Sequence, residues 1–138
     1  MSLAFLYAGQ GTQHVGMGAD LYEAYPAFRD IFDRCHPGFD VKQLCFEGPE
    51  ETLTQTQYTQ PCMVAFAAGV TAVLAEHGIT PAAAAGLSLG EYSALQAAGV
   101  FAPVQAVELV AFRGQAMANA VKDRPCGMAA VLQLDRET

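Results

Sequence analysis

The sequence is poor in charge, and in basic charge above all. Charged residues make up 15% of the 138 residues, and 7 Lys and Arg stand against 14 Asp and Glu, for a net charge of −7. Binding to nucleic-acid phosphates needs clustered Lys and Arg, so the composition argues against a nucleic-acid partner. Disorder is excluded as well, because 52% of the residues are hydrophobic and disordered chains are poor in such residues.

The sequence also lacks a bilayer-length apolar run and a metal-binding cysteine pattern. The longest nearly apolar run, residues 62–75, ends at Glu76 and His77, whereas a membrane-spanning helix needs about 20 such residues. The four cysteines form no CxxC pair and have no metal-ligand spacing. We therefore predict no membrane association, no metal site, and reduced thiols in a cytoplasmic protein.

Short apolar segments alternate with helical patterns along the chain. The predicted elements, in chain order, are a strand over 3–7, a helix from Pro26, short helical turns within 39–58, a long helix from Pro61 to Gly78, a strand ending at Gly86, a helix over 89–98, a helix from Pro103 and a last strand over 127–134. Strands that alternate with helices indicate an α/β fold with a parallel sheet.

Residues 86–90, Gly-Leu-Ser-Leu-Gly, match the G-x-S-x-G pattern of a nucleophile elbow. The pattern follows a predicted strand and precedes a predicted helix, which is the context that an elbow requires. Its glycines allow a turn tight enough to hold the Ser88 hydroxyl at the positive end of the helix. The backbone N–H of Leu89 would then point at an oxyanion on an acyl group carried by Ser88. The alternative is that Ser88 only caps the helix.

Arg113 is the only basic residue between Lys42 and Lys122, and it lies in the apolar pattern of the helix that begins at Pro103. Its neighbours at i−3 and i−4 are apolar, so no local carboxylate pairs with it. A guanidinium in such a place needs a tertiary carboxylate or an anionic ligand. Three alternatives stay open: a bound anion, a structural pair with Glu91, or a side chain that reaches solvent.

The glycine-rich loop over residues 9–13 follows the first predicted strand. An exposed N–H in such a loop could serve an oxyanion, although as a bare pattern an ordinary turn explains it better.

The histidines are placed unusually for a serine enzyme. In enzymes built on a nucleophile elbow the histidine base follows the serine in the chain, yet His14, His36 and His77 all precede Ser88. His36 and His77 fit helix ends, and His14 lies in the glycine-rich region. The sequence therefore contains no evident base for Ser88.

Four segments together resemble one family. They are Gly9-Gln10-Gly11-Thr12-Gln13 with Val15-Gly16-Met17, Thr59-Gln60-Pro61, Gly86-Leu87-Ser88-Leu89-Gly90-Glu91-Tyr92-Ser93-Ala94-Leu95, and Arg113-Gly114. In this order and spacing they resemble the malonyl-CoA:acyl carrier protein transacylases of fatty-acid synthesis and the acyltransferase domains of polyketide synthases. The resemblance covers essentially the whole chain. It favours the functional alternatives for Ser88 and Arg113.

The resemblance implies a role for each of these residues. Ser88 would take the malonyl group from malonyl-CoA as an ester and pass it to the phosphopantetheine thiol of acyl carrier protein. The N–H groups of Gln10 and Leu89 would form the oxyanion hole, and Arg113 would bind the malonyl carboxylate. Malonyl-CoA and acyl carrier protein would be the partners, with no cofactor. Tyr92, like Glu91, is assigned only support of the elbow helix.

The resemblance also implies the domain organisation. It predicts an α/β-hydrolase-like core with a parallel sheet and nucleophile elbow over residues 1–124, and the first strand of a small ferredoxin-like subdomain over 125–138. Family members are longer and carry their catalytic histidine downstream, so we expect residues 1–138 alone to transfer acyl groups poorly. Leu87 departs from the family, in which histidine most often precedes the nucleophile, but that histidine is not the base.

Three other functions stay open at this point. The chain could belong to a stand-alone polyketide acyltransferase, to an acyl hydrolase of the same family, or to a non-catalytic fragment or interaction module. Arg113 argues against substrates without a carboxylate, because an unpaired buried guanidinium is costly. In a non-catalytic module, Ser88 would be a helix cap and Arg113 part of a structural ion pair.

Overall fold

A computed structural model describes residues 2–122 of the chain. Its elements, in chain order, are β1 (Ala4–Tyr7), α1 (Ala19–Ala24), α2 (Pro26–Arg34), α3 (Val41–Glu47), α4 (Glu50–Leu53), α5 (Thr56–Glu76), β2 (Ala83–Gly86), α6 (Leu89–Ala97) and α7 (Pro103–Val121). The described residues therefore form a small parallel sheet surrounded by helices, as the sequence predicts. The predicted strand over 127–134, and with it the subdomain proposed for 125–138, lies outside the described residues.

The two strands pair in parallel, with Tyr7 opposite Gly86. Both predicted strands are confirmed, and β2 ends at Gly86 as expected. Because parallel strands have their carboxyl ends at the same edge of a sheet, the segments that follow β1 and β2 leave it side by side. The Tyr7 hydroxyl also hydrogen-bonds the Thr71 hydroxyl over 2.8 Å, which ties β1 to α5.

Helix α5 is the core of the described structure. It packs against α2, α6 and α7, and every residue from 59 to 65 is buried. By length and composition alone, its 21 residues and hydropathy of 1.4 could cross a membrane. A helix that is apolar on all sides is equally expected where other helices surround it, and that is the position α5 occupies here.

The start of α5 differs from the sequence prediction. The helix begins at Thr56, and Pro61 lies inside it. The prediction used the preference of proline for the first helical position. Here side-chain hydrogen bonds hold the turn before Pro61 instead, since the Thr59 hydroxyl contacts the Leu53 carbonyl at 2.5 Å and the Gln55 carbonyl at 3.0 Å.

The remaining helices follow the predicted pattern with two differences. Helix α2 buries Phe28, Ile31 and Phe32, and α3 and α4 are the short helical turns expected within 39–58. Helix α1 was not predicted. In α7 the apolar spacing continues to the C-terminal end, but Met117 and Val121 are 38% and 50% exposed, so only the first half of that face is buried.

Candidate active site

Ser88 lies in a strained turn between β2 and α6. Its backbone has φ 54° and ψ −104°, and it is the only residue other than glycine with a positive φ within residues 2–122. Such a conformation costs on the order of 1–3 kcal/mol and persists only where the surrounding structure enforces it. The Ser88 side chain is exposed and does not cap α6 by a hydrogen bond, so the helix-cap alternative is not what the structure has.

Two glycines enforce the turn. A Cβ atom on Gly86 would overlap the carbonyl group of Gly90, and a Cβ atom on Gly90 would overlap the carbonyl oxygen of Tyr7. The elbow thus packs against itself and against the end of β1 at distances that no side chain tolerates. The G-x-S-x-G segment therefore has the tight strand–turn–helix geometry that the pattern predicts.

The two backbone N–H groups predicted to bind an oxyanion belong to Leu89 and Gln10. Leu89 is the first residue of α6, so its N–H has no carbonyl one turn earlier to bind within the helix. Gln10 lies in the turn that follows β1, and a Cβ on the preceding Gly9 would be 3.1 Å from the Leu87 carbonyl oxygen. The loop after β1 therefore contacts the elbow directly at Gly9, and the oxyanion role of Gln10 stays a prediction.

Arg113 reaches Ser88 from α7. Its Nη2 donates to Ser88 Oγ at 3.2 Å, and its Nη1 donates to Gln60 Oε1 at 2.6 Å. Its guanidinium carbon lies 5.4 Å from the centre of the Tyr92 ring, a cation–π distance. Tyr92 thus contacts Arg113, a contact that the sequence prediction missed.

The alternative ion pair of Arg113 with Glu91 does not form. The ion pairs within 4.0 Å among residues 2–122 are Arg34–Asp30 and Lys42–Asp33, both on the surface. Arg113 is therefore held by neutral acceptors and an aromatic face, which leaves its charge uncompensated in this part of the chain. A partly buried cation of this kind attracts an anionic ligand.

Gln60 and Thr56 extend the site behind Arg113. Gln60 is fully buried, and its Nε2 donates to Thr56 Oγ1 at 2.8 Å and approaches Met117 Sδ at 3.3 Å. Thr56 Oγ1 in turn donates to Gln10 Oε1 at 2.8 Å. Neither residue received a role from the sequence. The available signal was a glutamine in Thr59-Gln60-Pro61, directly before the apolar run over residues 62–75.

The histidines of the chain make other contacts. His77 Nδ1 lies 2.8 Å from the Val73 carbonyl at the end of α5, and His14 Nδ1 lies 3.5 Å from the Thr12 carbonyl. His36 is exposed beyond the end of α2. Within the described residues, the hydrogen-bond partner of Ser88 Oγ is Arg113 and not an imidazole.

The cysteines in the described region are buried in the core. Cys35, Cys45 and Cys62 are free thiols; Cys126 lies outside the described residues. Burial is the largest cause that raises the pKa of Cys35, to about 11. A hydrogen bond with Cys45, and then burial, raises the pKa of Cys62 well above its usual range. No group of three or more His, Cys, Asp and Glu side chains suited to a metal ion occurs among residues 2–122.

A shallow groove of about 600 Å³ runs along α7 beside the site. It is lined by Tyr92, Leu109, Phe112, Arg113, Ala116, Met117 and Ala120. Phe112 is 75% exposed there, and Leu87 is 80% exposed next to Ser88. The groove therefore contains one cationic side chain, Arg113, in a largely apolar lining.

A family model and individual known proteins both match this chain. The model of the acyl transferase domain family matches residues 4–138. The malonyl CoA-acyl carrier protein transacylase of Bacillus subtilis (strain 168) is 44% identical over 137 residues, which are 98% of this chain and 43% of that protein. The polyketide biosynthesis protein ThaF of Burkholderia thailandensis is 46% identical over 133 residues, which are 96% of this chain and 11% of that protein.

Solved structures of malonyltransferases are also similar to this chain. A malonyl-transacylase, solved in complex with a type II polyketide-synthase acyl carrier protein, superposes with a TM-score of 0.82 at 42% identity and covers 88% of this chain and 40% of its own. An acyl carrier protein S-malonyltransferase from Vibrio cholerae gives a TM-score of 0.83 at 44% identity, over 88% of this chain and 40% of that one. The chain thus spans less than half the length of the relatives that it matches.

Proposed function

The chain belongs to the acyl transferase domain family, and we propose that it supplies the nucleophile, the oxyanion donors and the carboxylate-binding arginine of a malonyltransferase. In this proposal a malonyl group moves from malonyl-CoA to the phosphopantetheine thiol of acyl carrier protein. The observation that carries the proposal is the hydrogen bond from Arg113 to the strained, exposed Ser88. In this arrangement Arg113, which has no carboxylate partner among residues 2–122, lies beside the proposed nucleophile Ser88.

The first half of the reaction is acylation of Ser88. Ser88 Oγ attacks the thioester carbonyl of malonyl-CoA as a base removes its proton, and the carbonyl oxygen becomes an oxyanion. The N–H groups of Leu89 and Gln10 stabilise that charge. Collapse of the intermediate breaks the bond between carbon and sulfur, and the CoA thiolate leaves and takes up a proton. The malonyl group remains on Ser88 as an ester.

Arg113 selects the acyl group. The free carboxylate of a malonyl ester lies one methylene beyond the ester carbonyl, close to the Ser88 oxygen that Nη2 now contacts at 3.2 Å. On acylation the guanidinium exchanges the hydroxyl for the carboxylate, which accepts a charge-assisted, two-pronged hydrogen bond. The contact of Nη1 with buried Gln60 keeps the guanidinium plane in place during the exchange.

The second half transfers the malonyl group to the carrier. The phosphopantetheine thiol of acyl carrier protein gives up its proton to the base and attacks the ester carbonyl, whose oxygen again becomes an oxyanion in the same hole. Collapse of this intermediate forms the new thioester and breaks the bond between the carbonyl carbon and Ser88 Oγ, which takes the proton back from the base. We propose that the base for both steps is a histidine outside residues 1–138, because His14, His36 and His77 have other surroundings. We further propose an α/β-hydrolase-like core, a ferredoxin-like subdomain that begins within 125–138, and a cytoplasmic location.

A polyketide acyltransferase is the second candidate, since the similarity to ThaF is as high as that to the transacylases. Both candidates predict a malonyl ester on Ser88. They are told apart by the carrier that deacylates it: the carrier protein of fatty-acid synthesis, or a carrier domain of a polyketide synthase.

The test is covalent labelling of the protein expressed from its complete gene. Incubation with malonyl-CoA should add a malonyl group to the peptide that contains Ser88, and Ser88→Ala should abolish it. Ser93→Ala is the matched control, because Ser93 lies on the same peptide and is buried in α6; it should keep the label. A malonyl adduct on the Ser88→Ala protein would overturn the assignment of the nucleophile.

A further inference from the structure

A continuous series of hydrogen bonds joins the two walls of the site. It starts at Ser88 and passes through Arg113, Gln60 and Thr56 to the side chain of Gln10, over distances of 3.2, 2.6, 2.8 and 2.8 Å. These five residues come from four separate segments: the elbow, α7, the start of α5 and the loop after β1. Thr56 is the member that connects the arginine side to the loop.

The donor is fixed in the first three hydrogen bonds of this series, from Ser88 to Thr56. Arginine can only donate, so the Gln60 side chain must turn its oxygen toward Arg113 and its NH2 group toward Thr56. Thr56 Oγ1 therefore accepts from Gln60, and its own proton is free to go to Gln10 Oε1. A hydroxyl is the one side-chain group of this size that accepts and donates at once. Valine has the same shape and can do neither.

The loop that carries Gln10 needs an external support. Gln10 and Gly11 are exposed, and Gly11 has φ +111° with no atom within 4 Å of the position of a Cβ. In contrast, the Thr56 backbone is held firmly, because a Cβ on Gly114 would be 2.8 Å from the Thr56 carbonyl oxygen. The Thr56 hydroxyl thus links an exposed loop to a close contact between α5 and α7, one residue away from Arg113.

We propose that Thr56 is a positioning residue that couples the oxyanion loop to the carboxylate-binding arginine. Its hydroxyl holds Gln10 so that the Gln10 N–H faces the oxyanion, and it holds Gln60 in the orientation that keeps Arg113 beside Ser88. The proposal rests on the proposed malonyltransferase function. It assigns to one hydroxyl an effect on two properties: the rate with any acyl group, through Gln10, and the preference for malonyl, through Gln60 and Arg113.

The test compares Thr56→Val with Thr56→Ser in the protein expressed from its complete gene. Loading of Ser88 is measured with malonyl-CoA and with acetyl-CoA, which has no free carboxylate. Loss of one hydrogen bond costs roughly two- to tenfold in rate. Thr56→Val should therefore slow acetyl loading about two- to tenfold and malonyl loading about ten- to a hundredfold, while Thr56→Ser should restore both.

Two controls separate positioning from folding. Thr54→Val removes an exposed hydroxyl that contacts only the Glu51 carbonyl, at 3.1 Å, and should leave both rates unchanged. The ratio of malonyl to acetyl loading does not depend on the fraction of folded protein, so partial misfolding of Thr56→Val cannot imitate the expected fall in that ratio. In an Arg113→Ala background, Thr56→Val should affect malonyl no more than acetyl.

The outcomes distinguish the two proposals. If the unsubstituted protein forms no malonyl ester on Ser88, the proposed function fails and the role of Thr56 fails with it. If the ester forms but Thr56→Val leaves the malonyl-to-acetyl ratio unchanged, only the role of Thr56 is overturned. The same holds if Thr56→Ser is as slow as Thr56→Val.

Discussion

At the scale of single residues, the sequence predicted some side chains of the site and missed others. Ser88 and Arg113 were found from the sequence because each breaks a local pattern: a serine between glycines, and a lone cation in an apolar helix. Gln60 and Thr56 were not found, since their partners lie 53 and 46 residues away. Local patterns predict which residues are unusual. They do not predict which distant side chains hold them.

Substitution of Arg113 should slow malonyl transfer more than acetyl transfer. We expect Arg113→Ala to lower malonyl transfer by about 2–4 kcal/mol of transition-state stabilisation, because the carboxylate loses a charge-assisted contact. Acetyl transfer should fall less, or rise. Steady-state kinetics with both thioesters measure the effect.

Arg113→Lys is the matched variant for that experiment. It keeps the charge but has no planar pair of donors, so it cannot bind Gln60 and the carboxylate as Arg113 does. We expect it to recover only part of the malonyl activity. Equal losses for malonyl and acetyl in both variants would mean that Arg113 supports the fold and does not bind the carboxylate.

At the scale of elements, the helices were predicted better than their boundaries. Proline and glycine signals located α2, α7 and the end of α5, because these residues act on the backbone locally. The start of α5 was misplaced, because side chains of its first turns form hydrogen bonds that outweigh the preference of Pro61 for a first position. Helix α1 was missed, since none of its residues is buried and its sequence has no strong periodicity.

One added methyl group at the contact between α2 and α5 should lower the stability of the protein. A Cβ on Gly69 would lie 2.6 Å from the Phe28 ring, and that ring is fully buried and stacked on Phe32 with centroids 4.7 Å apart. Gly69→Ala should therefore destabilise the protein by about 1–2 kcal/mol, because overpacking costs about 1–3 kcal/mol and exceeds the helix-propensity gain of up to about 1 kcal/mol. Urea unfolding measures the change.

A second substitution tests whether the Phe28 ring is the cause. Phe28→Leu should be less harmful in the Gly69→Ala background than in the unsubstituted protein, because the smaller side chain leaves room for the added methyl group. Additive effects of the two substitutions would show that the methyl group meets no obstruction from Phe28.

At the scale of the whole molecule, the buried thiols make stability depend on pH in the alkaline range. The Cys35 pKa is raised from 9.0 to about 11 by burial. Below pH 9 the folded and unfolded states both keep the thiol proton, and between about pH 9 and 11 the unfolded state alone loses it. The free energy of unfolding should therefore fall as pH rises, by roughly 1.4 kcal/mol per pH unit for this thiol.

Denaturant unfolding between pH 7 and 11 measures this slope. Cys62 contributes in the same direction, because its pKa is raised too. Cys35→Ala should lower stability at pH 7 through the loss of packing, yet give a shallower fall above pH 9 than the unsubstituted protein. Parallel curves for the two proteins above pH 9 would contradict the assignment of this pH dependence to Cys35.

The parallel pairing of β1 with β2 also constrains how the protein folds during synthesis. The loop after β1 and the elbow are neighbours only once the intervening helices have closed a long stretch of chain, and such closure is entropically slow. The guanidinium that faces Ser88 comes from α7, later still in the chain. A nascent chain that has emerged only as far as the elbow therefore carries Ser88 without Arg113, and the hydrogen bond between the two side chains forms only after α7 has been synthesised.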